Sequence, residues 1–266
     1  AIDAAIPSVV SFYGYDISKI LRGNPDAYNS LFNQCDAVTT LSDNMSEKVI
    51  KAGCPTEKVF KQQLAVDTNR FQFQHRQRPS AEQIQLLTIA RFTEKKGLKY
   101  AIDAIGQVIE THNISYRIAG DGPLREDIET QIERHGIGDS VELLGWINQR
   151  QVKREMSNAH IFVLPSVTAK DGDKEGTPTV LLEAQATGMP VISTHHAGIP
   201  EIVADGESGL LVPERDVDAL VDALREVIGS PERWSDMGKQ GRKLVESNHS
   251  IPVMIDRLDR VYDYIS

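Results

Sequence analysis

Apolar residues along this chain fall into two alternating patterns. Short runs predict buried strands: "SVVSF" (8–12), "DAVTTL" (36–41), "VFKQQ" (59–63), "IQLLTIA" (84–90), "SYRIAG" (115–120), "VELLG" (141–145), "IFVLP" (161–165), "MPVIST" (189–194) and "GLLV" (209–212). Between many of them, apolar positions recur at intervals of three and four. The clearest set is Leu98, Ala101, Ile102, Ile105, Val108 and Ile109, one face of a helix. Ser42 stands where a helix N-cap is expected, and Gly53 where that helix can end. Strands alternating with helices predict βαβ units and a mostly parallel sheet covered on both faces.

The stretch "FQFQHRQRPSAEQ" (71–83) is polar, lacks periodicity and carries Pro79, so it reads as a boundary. Residues 76–250 then predict a doubly wound α/β domain of about six strands. Residues 1–75 hold only about three strands and two helices, part of a second such domain. The segment 251–266, "IPVMIDRLDRVYDYIS", has its own apolar stripe and is expected to pack back on the first part.

Composition narrows the class. The 266 residues are 40% hydrophobic and 25% charged, as in a soluble globular protein. A formal net charge of −9 argues against nucleic acid as a partner and allows at most peripheral contact with an anionic membrane. Only Cys35 and Cys54 are present, without zinc spacing, which fits a reducing compartment; a cytoplasmic location is expected, possible at the inner membrane face. No run is long and apolar enough to span a bilayer.

The richest chemistry lies in "DGDKEGTPTVLLEAQATGMPVISTHHAGIPEIV" (171–203). Thr177 is expected to cap a helix, with Pro178 in its first position. The N–H groups of Thr179, Val180 and Leu181 would then face any anion placed at the helix start, and Gly176 would let it approach. Glu175 and Glu183 cannot neutralise a phosphate, so they are expected to accept hydrogen bonds from hydroxyls. Cations come from another strand end: Arg91 and Lys96 in "ARFTEKKGL" suit a diphosphate. "AGDGPL" offers Gly120 in a tight turn, and "LLGWINQ" places Trp146 beside a base-sized pocket. The Asp-x-Asp of "DGD" (171–173) reads as a solvated acidic loop, and the neighbours His195 and His196 as pointing opposite ways, so no metal is expected.

These pieces, in order over residues 84–217, resemble the retaining glycosyltransferases of family 4. "ARFTEKKG", "AGDGPL", "LLGW", "EGTPTVLLE", "EAQATGMPVISTHHAGIPEIV" and "DGESGLLVPERD" carry the likeness. Exopolysaccharide transferases of the colanic-acid type are the nearest subgroup. The resemblance implies a GT-B fold of two facing Rossmann-like domains. It also implies transfer of a hexose, with retention, from a UDP- or GDP-sugar to a glycan or lipid-linked acceptor, with no cofactor beyond that substrate. Arg91 and Lys96 would bind the donor diphosphate, Glu175 the sugar hydroxyls and Glu183 the ribose; Gly14 would line the donor from the first domain. "FYGYD" departs from the family by placing Tyr13 where His is usual. The family's early glycine loop and acceptor strands would lie upstream of Ala1. A chain without them is expected to bind donor but transfer little, to associate or lose order in its first 71 residues, and to need that missing segment. The alternative is a donor-binding half or inactive module that works with a separate acceptor domain. A Rossmann oxidoreductase is a third, disfavoured reading, because no strand here is followed by GxGxxG with an acidic residue about 20 positions later.

Overall fold

The computed structural model describes residues 6–79 and 83–266. Residue 1, where the chain opens, and residues 80–82 of the expected boundary lie outside the described residues. Two parallel sheets form. The first joins β1 (Val9–Ser11), β2 (Ala37–Thr40) and β3 (Val59–Lys61) in that order. The second has the order β6-β5-β4-β7-β8-β9: β4 (Ile84–Ile89), β5 (Ile114–Ala119), β6 (Val141–Gly145), β7 (Ile161–Val163), β8 (Val191–Thr194) and β9 (Gly209–Val212). All nine predicted strands form, with ends shifted by a residue or two.

In the first sheet a π-helical turn, Asp16–Ile20, runs into α1 (Leu21–Gly23), and α2 (Asn29–Gln34) and α3 (Asp43–Lys51) follow. Ser42 caps α3 by accepting from the Met45 N–H at 3.2 Å, and Gly53 takes φ 97° just past the helix. The second sheet is wrapped by α4 (Leu98–Val108), α5 (Arg125–His135), α6 (Gln149–Asn158), α7 (Thr179–Ala186), α8 (Val217–Gly229) and α9 (Trp234–Asn248), and α10 (Ile251–Ile265) follows. Strand side chains alternate between faces. Leu86, Ile161 and Val163 enter the core under α4, α5 and α8, whereas Leu87 and Phe162 enter the core under α6, α7 and α9. Both faces are therefore dry. That explains why these strands read as continuous apolar runs.

In the second sheet the chain leaves β4 toward β5 on one side and continues through β7 on the other. The strand order reverses there, leaving a crevice outside the carboxyl ends of β4 and β7.

The polar segment after residue 66 is strapped down instead of hanging free. Val66 donates its N–H to the His249 carbonyl at 2.8 Å. Arg242 of α9 donates to the carbonyls of Thr68, Phe71 and Ala186. Arg76, 5% exposed, donates to the carbonyls of Met156, Ser157, Ala159 and Thr187 at the ends of α6 and α7. A buried guanidinium thus satisfies carbonyls that a helix terminus leaves open. Burial alone lowers its pKa, to about 10.

The last helix, α10, lies along β3. Gln62 donates to the Met254 carbonyl at 2.9 Å, and the rings of Phe60 and Tyr264 meet in a tilted contact with centroids 4.9 Å apart. Lys61, Asp43 and Glu201 link the two sheets: Lys61 meets Asp43 at 2.7 Å and Glu201 at 3.3 Å, and Glu201 also accepts from the Asp43 N–H.

Candidate functional site

The loop after β4 carries Arg91 and Lys96 and ends at Gly97, which adopts φ 66°. A Cβ there would lie 1.8 Å from the Pro165 carbonyl oxygen, so only glycine lets this loop rest on the loop after β7. The Val167 N–H donating to the Lys95 carbonyl at 2.9 Å fastens the two loops together. Gly120, at the end of β5, makes a similar approach to the Ala90 carbonyl. The crevice is built by backbones in contact.

The expected residues fall into two groups. Arg91, Gly120, Trp146, Val180 and Glu183 line one cleft of about 240 Å³, together with Gln149. Trp146 is 78% exposed at its rim, with a free indole face. Beside this cleft, Lys96 Nζ lies 2.7 Å from Glu175 Oε1, both largely shielded from solvent. The angle falls outside hydrogen-bond geometry, so Glu175 Oε1 is ion-paired yet has no hydrogen bond. Such an oxygen can still accept from a ligand hydroxyl. The segments 91–96 and 175–183 join the two groups.

Gly14, at φ 139°, brings the first sheet against this site. A Cβ on Gly176 would sit 2.6 Å from the Tyr13 carbonyl oxygen, and one on Gly14 would sit 3.5 Å from the Gly176 nitrogen. Asp16 does not face outward. Its carboxylate accepts from the N–H groups of Tyr13, Gly14 and Ile17 and so shapes the loop, whereas the Tyr13 ring is 61% exposed.

Two expectations at the helix start need correction. Helix α7 begins at Thr179 with Pro178 as its N-cap and no side-chain cap. The Thr177 hydroxyl instead donates to the Leu41 carbonyl at 3.2 Å, a bond across to the first sheet. Leu41 offers a carbonyl at the end of β2, and turning toward it leaves Thr177 unable to cap. Leu181 is also not free: its N–H donates to Pro178 at 3.0 Å and its side chain is buried. Thr179 and Val180 keep the first two helix N–H groups, which have no intrahelical acceptor.

Sequence reasoning missed the support of Glu175. Its backbone N–H donates to His196 Nε2 at 3.1 Å, and His196 Nδ1 lies 2.6 Å from Glu214 Oε1. Glu214 also accepts from the Thr168 N–H at 2.7 Å. These bonds assign the Nδ1–H tautomer. Burial lowers the pKa of His196 against the opposing pull of Glu214, keeping the ring neutral. The adjacent His195 is half exposed and points away, as the strand geometry predicts. In the "DGD" loop, Asp171 pairs with Lys19 at 2.8 Å and Asp173 with Lys95 at 3.0 Å.

Burial pushes the Glu183 pKa up to about 7, with Arg70 opposing. The folded chain therefore holds this proton more tightly than the unfolded chain between pH 4.5 and about 7. Stability falls as pH rises through that window and stays reduced above it. Glu183→Gln should stabilise the free protein at pH 8 by on the order of 3 kcal/mol, and by almost nothing at pH 4. Urea midpoints at the two pH values decide this. Equal midpoints for parent and variant at pH 8 would show a comfortably solvated carboxylate.

A family model described as "Glycosyl transferases group 1" matches residues 69–244, well over half of the chain. The chain belongs to this family of glycosyltransferases. Among curated relatives, the putative colanic acid biosynthesis glycosyltransferase WcaL of Escherichia coli (strain K12) is 42% identical over 216 residues, covering 80% of this chain and 53% of WcaL. The amylovoran biosynthesis glycosyltransferase AmsK of Erwinia amylovora is 38% identical over 220 residues, covering 81% of this chain and 54% of AmsK. The chain thus spans about half the length of these relatives. Among solved structures, Anabaena HepE in complex with UDP and glucose superposes with a TM-score of 0.83 at 19% identity, covering 97% of this chain and 71% of HepE. The fold is GT-B.

Proposed function

We propose that this chain carries the donor site of a retaining family 4 glycosyltransferase. It would move a hexose from a UDP- or GDP-sugar to a glycan or lipid-linked acceptor during cell-surface polysaccharide synthesis, on the cytoplasmic side. The observation that carries the reading is the ion pair of Lys96 with the buried Glu175, beside a cleft lined by Arg91 and Glu183, at the reversal of strand order. The names of WcaL and AmsK support the polysaccharide context, and HepE supports a nucleotide-sugar donor within the same fold.

In this reading the base rests near Trp146 and the ribose hydroxyls donate to Glu183. Arg91 and Lys96 bind the diphosphate, and the sugar hydroxyls donate to Glu175 below Gly14. The bond from the anomeric carbon to the diphosphate oxygen breaks as the acceptor oxygen attacks from the same face. The departing phosphate oxygen takes the acceptor proton, and the two cations stabilise the charge that develops there. Tyr13 needs no basic role.

Titrating the 266-residue chain with UDP, GDP and ADP by calorimetry tests the donor site. One nucleotide should bind saturably, and binding should survive EDTA because helix N–H groups and two cations already face the diphosphate. Charge-assisted contacts are worth about 1.5–3 kcal/mol, so Arg91→Ala and Lys96→Ala should each weaken binding roughly tenfold or more. If both variants bind like the parent, the diphosphate lies elsewhere.

A further inference from the structure

A second cleft, of about 650 Å³, opens between the helical segment 16–29, α3 and the loop after β7, and shares no lining residue with the donor cleft. Its charge is lopsided. Arg22, Lys48, Lys51 and Lys174 line it against a single carboxylate, Asp26, on a chain whose formal net charge is −9. Other carboxylates nearby are engaged: Asp171 and Asp173 hold Lys19 and Lys95, and Glu47 lies 3.7 Å from Lys51. Arg22, Lys48 and Lys174 have no ion pair or side-chain hydrogen bond among the described residues. Arg22 lies across Gly172, where an added Cβ would come within 2.4 Å of its guanidinium.

Unpaired cations are ordinary on an open surface, but these are drawn together in a concavity. Burial and the neighbouring Lys174 both lower the pKa of Lys48, so the like charges feel each other. Assembling like charges without counter-charges is unfavourable, and an anion seated among them would relieve it. Arg22 supplies a planar fork and the lysines point charges, a set suited to phosphate oxygens. Ile17, Leu21 and Ala52 add apolar wall, and the volume lies within the roughly 300–1,000 Å³ of small-ligand pockets. The cleft also borders Lys174, the residue before Glu175.

We infer that this cleft binds the phosphate or diphosphate group of the acceptor, held by Arg22, Lys48 and Lys174, so that the substrate receiving the sugar is a phosphorylated glycan. Calling the ligand an acceptor rests on the transferase reading above; the anion site itself does not. Both sheets contribute to it, which couples their relative placement to the presence of the acceptor.

The test uses inorganic pyrophosphate, the 266-residue chain and an Arg91→Ala background that cripples the donor cleft. Pyrophosphate should still bind and shift the amide resonances of Gly53 and Gly172. Adding Lys48→Ala and Lys174→Ala together should weaken that binding at least tenfold, and Lys48→Arg should retain it. In the parent background the same double variant should bind UDP within twofold of normal. Unchanged pyrophosphate affinity in the double variant, or no shift at either glycine, overturns the proposal and leaves the donor reading standing. Pyrophosphate shifts at these glycines in a parent that binds no nucleotide would do the reverse. Vesicles of phosphatidylglycerol and of phosphatidylcholine provide the remaining arm. Binding to the anionic vesicles that needs both lysines, with no response to pyrophosphate, would mean a membrane-facing patch and would also overturn it.

Discussion

Gly97→Ala is expected to destabilise the protein by on the order of 4 kcal/mol and to abolish nucleotide binding. The left-handed conformation of Gly97 would cost an alanine roughly 1–2 kcal/mol. The added Cβ would also sit 1.8 Å from the Pro165 carbonyl oxygen and 2.8 Å from its carbon. Neither partner is a side chain that can rotate away, so the loops after β4 and β7 must part. Overpacking of this kind costs about 1–3 kcal/mol or more. Parting the loops also separates Lys96 from Glu175, which is why binding should go with stability. Gly120→Ala should behave alike, since its Cβ would approach the Ala90 carbonyl oxygen within 1.8 Å. Gly138→Ala is the control: nothing lies within 4 Å of its Cβ position, so the change should stay within about 0.5 kcal/mol. Urea midpoints and UDP calorimetry on the three variants measure this. A Gly97→Ala protein as stable as the Gly138→Ala control would mean that the loops do not pack as described.

What could be read from the sequence follows the range of the forces involved. Strands buried on both faces must be apolar at every position, so "IQLLTIA" and "IFVLP" announced themselves. The Ser42 cap is local too, because its partner lies three residues on. Thr177 offered the same local signal and misled. Its hydroxyl found the Leu41 carbonyl, 136 residues away in sequence, and no local rule anticipates a competitor brought in by the fold. Within the polar stretch after residue 71, Arg76 gives no local sign of its burial, which comes from four helix-end carbonyls that converge on it.

The candidate site divides similarly. Arg91, Gly120, Trp146 and Glu183 were legible as strand-end and helix residues, and one cleft gathers them. The pairing of Lys96 with Glu175 was not, since spacing along the chain carries no information about distance across a crevice. Nor was the support of Glu175 by His196 and Glu214. The only signal for His196 was the pair "HH" after β8, where alternation requires one ring to turn inward. The charge of the second cleft was hidden outright. Arg22, Lys48 and Lys174 are far apart in a chain of net negative charge, and only the packing of both sheets brings them together.

Glu175→Gln should separate the two halves of a donor ligand. In the free protein Lys96 is held by the Glu175 carboxylate at 2.7 Å, so a diphosphate must compete for that cation. Removing the negative charge without changing shape frees Lys96. UDP should then bind several-fold more tightly, because a like charge near the diphosphate has gone. The sugar should suffer in the same variant. A carboxylate accepts hydroxyl hydrogen bonds more strongly than an amide, and the glutamine nitrogen accepts none. The affinity advantage of UDP-glucose over UDP should therefore fall at least tenfold, about 1.4 kcal/mol. The backbone N–H of Glu175 still reaches His196 in the variant, so the loop keeps its support. Combining Glu175→Gln with Lys96→Ala should erase the gain for UDP, since the gain arises only through the freed lysine. That non-additivity, read by calorimetry over the four proteins of a double-mutant cycle, isolates the pair. Equal weakening of UDP and UDP-glucose by Glu175→Gln would instead make the carboxylate a structural partner of Lys96, and the sugar would have to be held elsewhere. If GDP is the nucleotide that binds, the same cycle applies with GDP-mannose in place of UDP-glucose, because neither carboxylate nor cation meets the base.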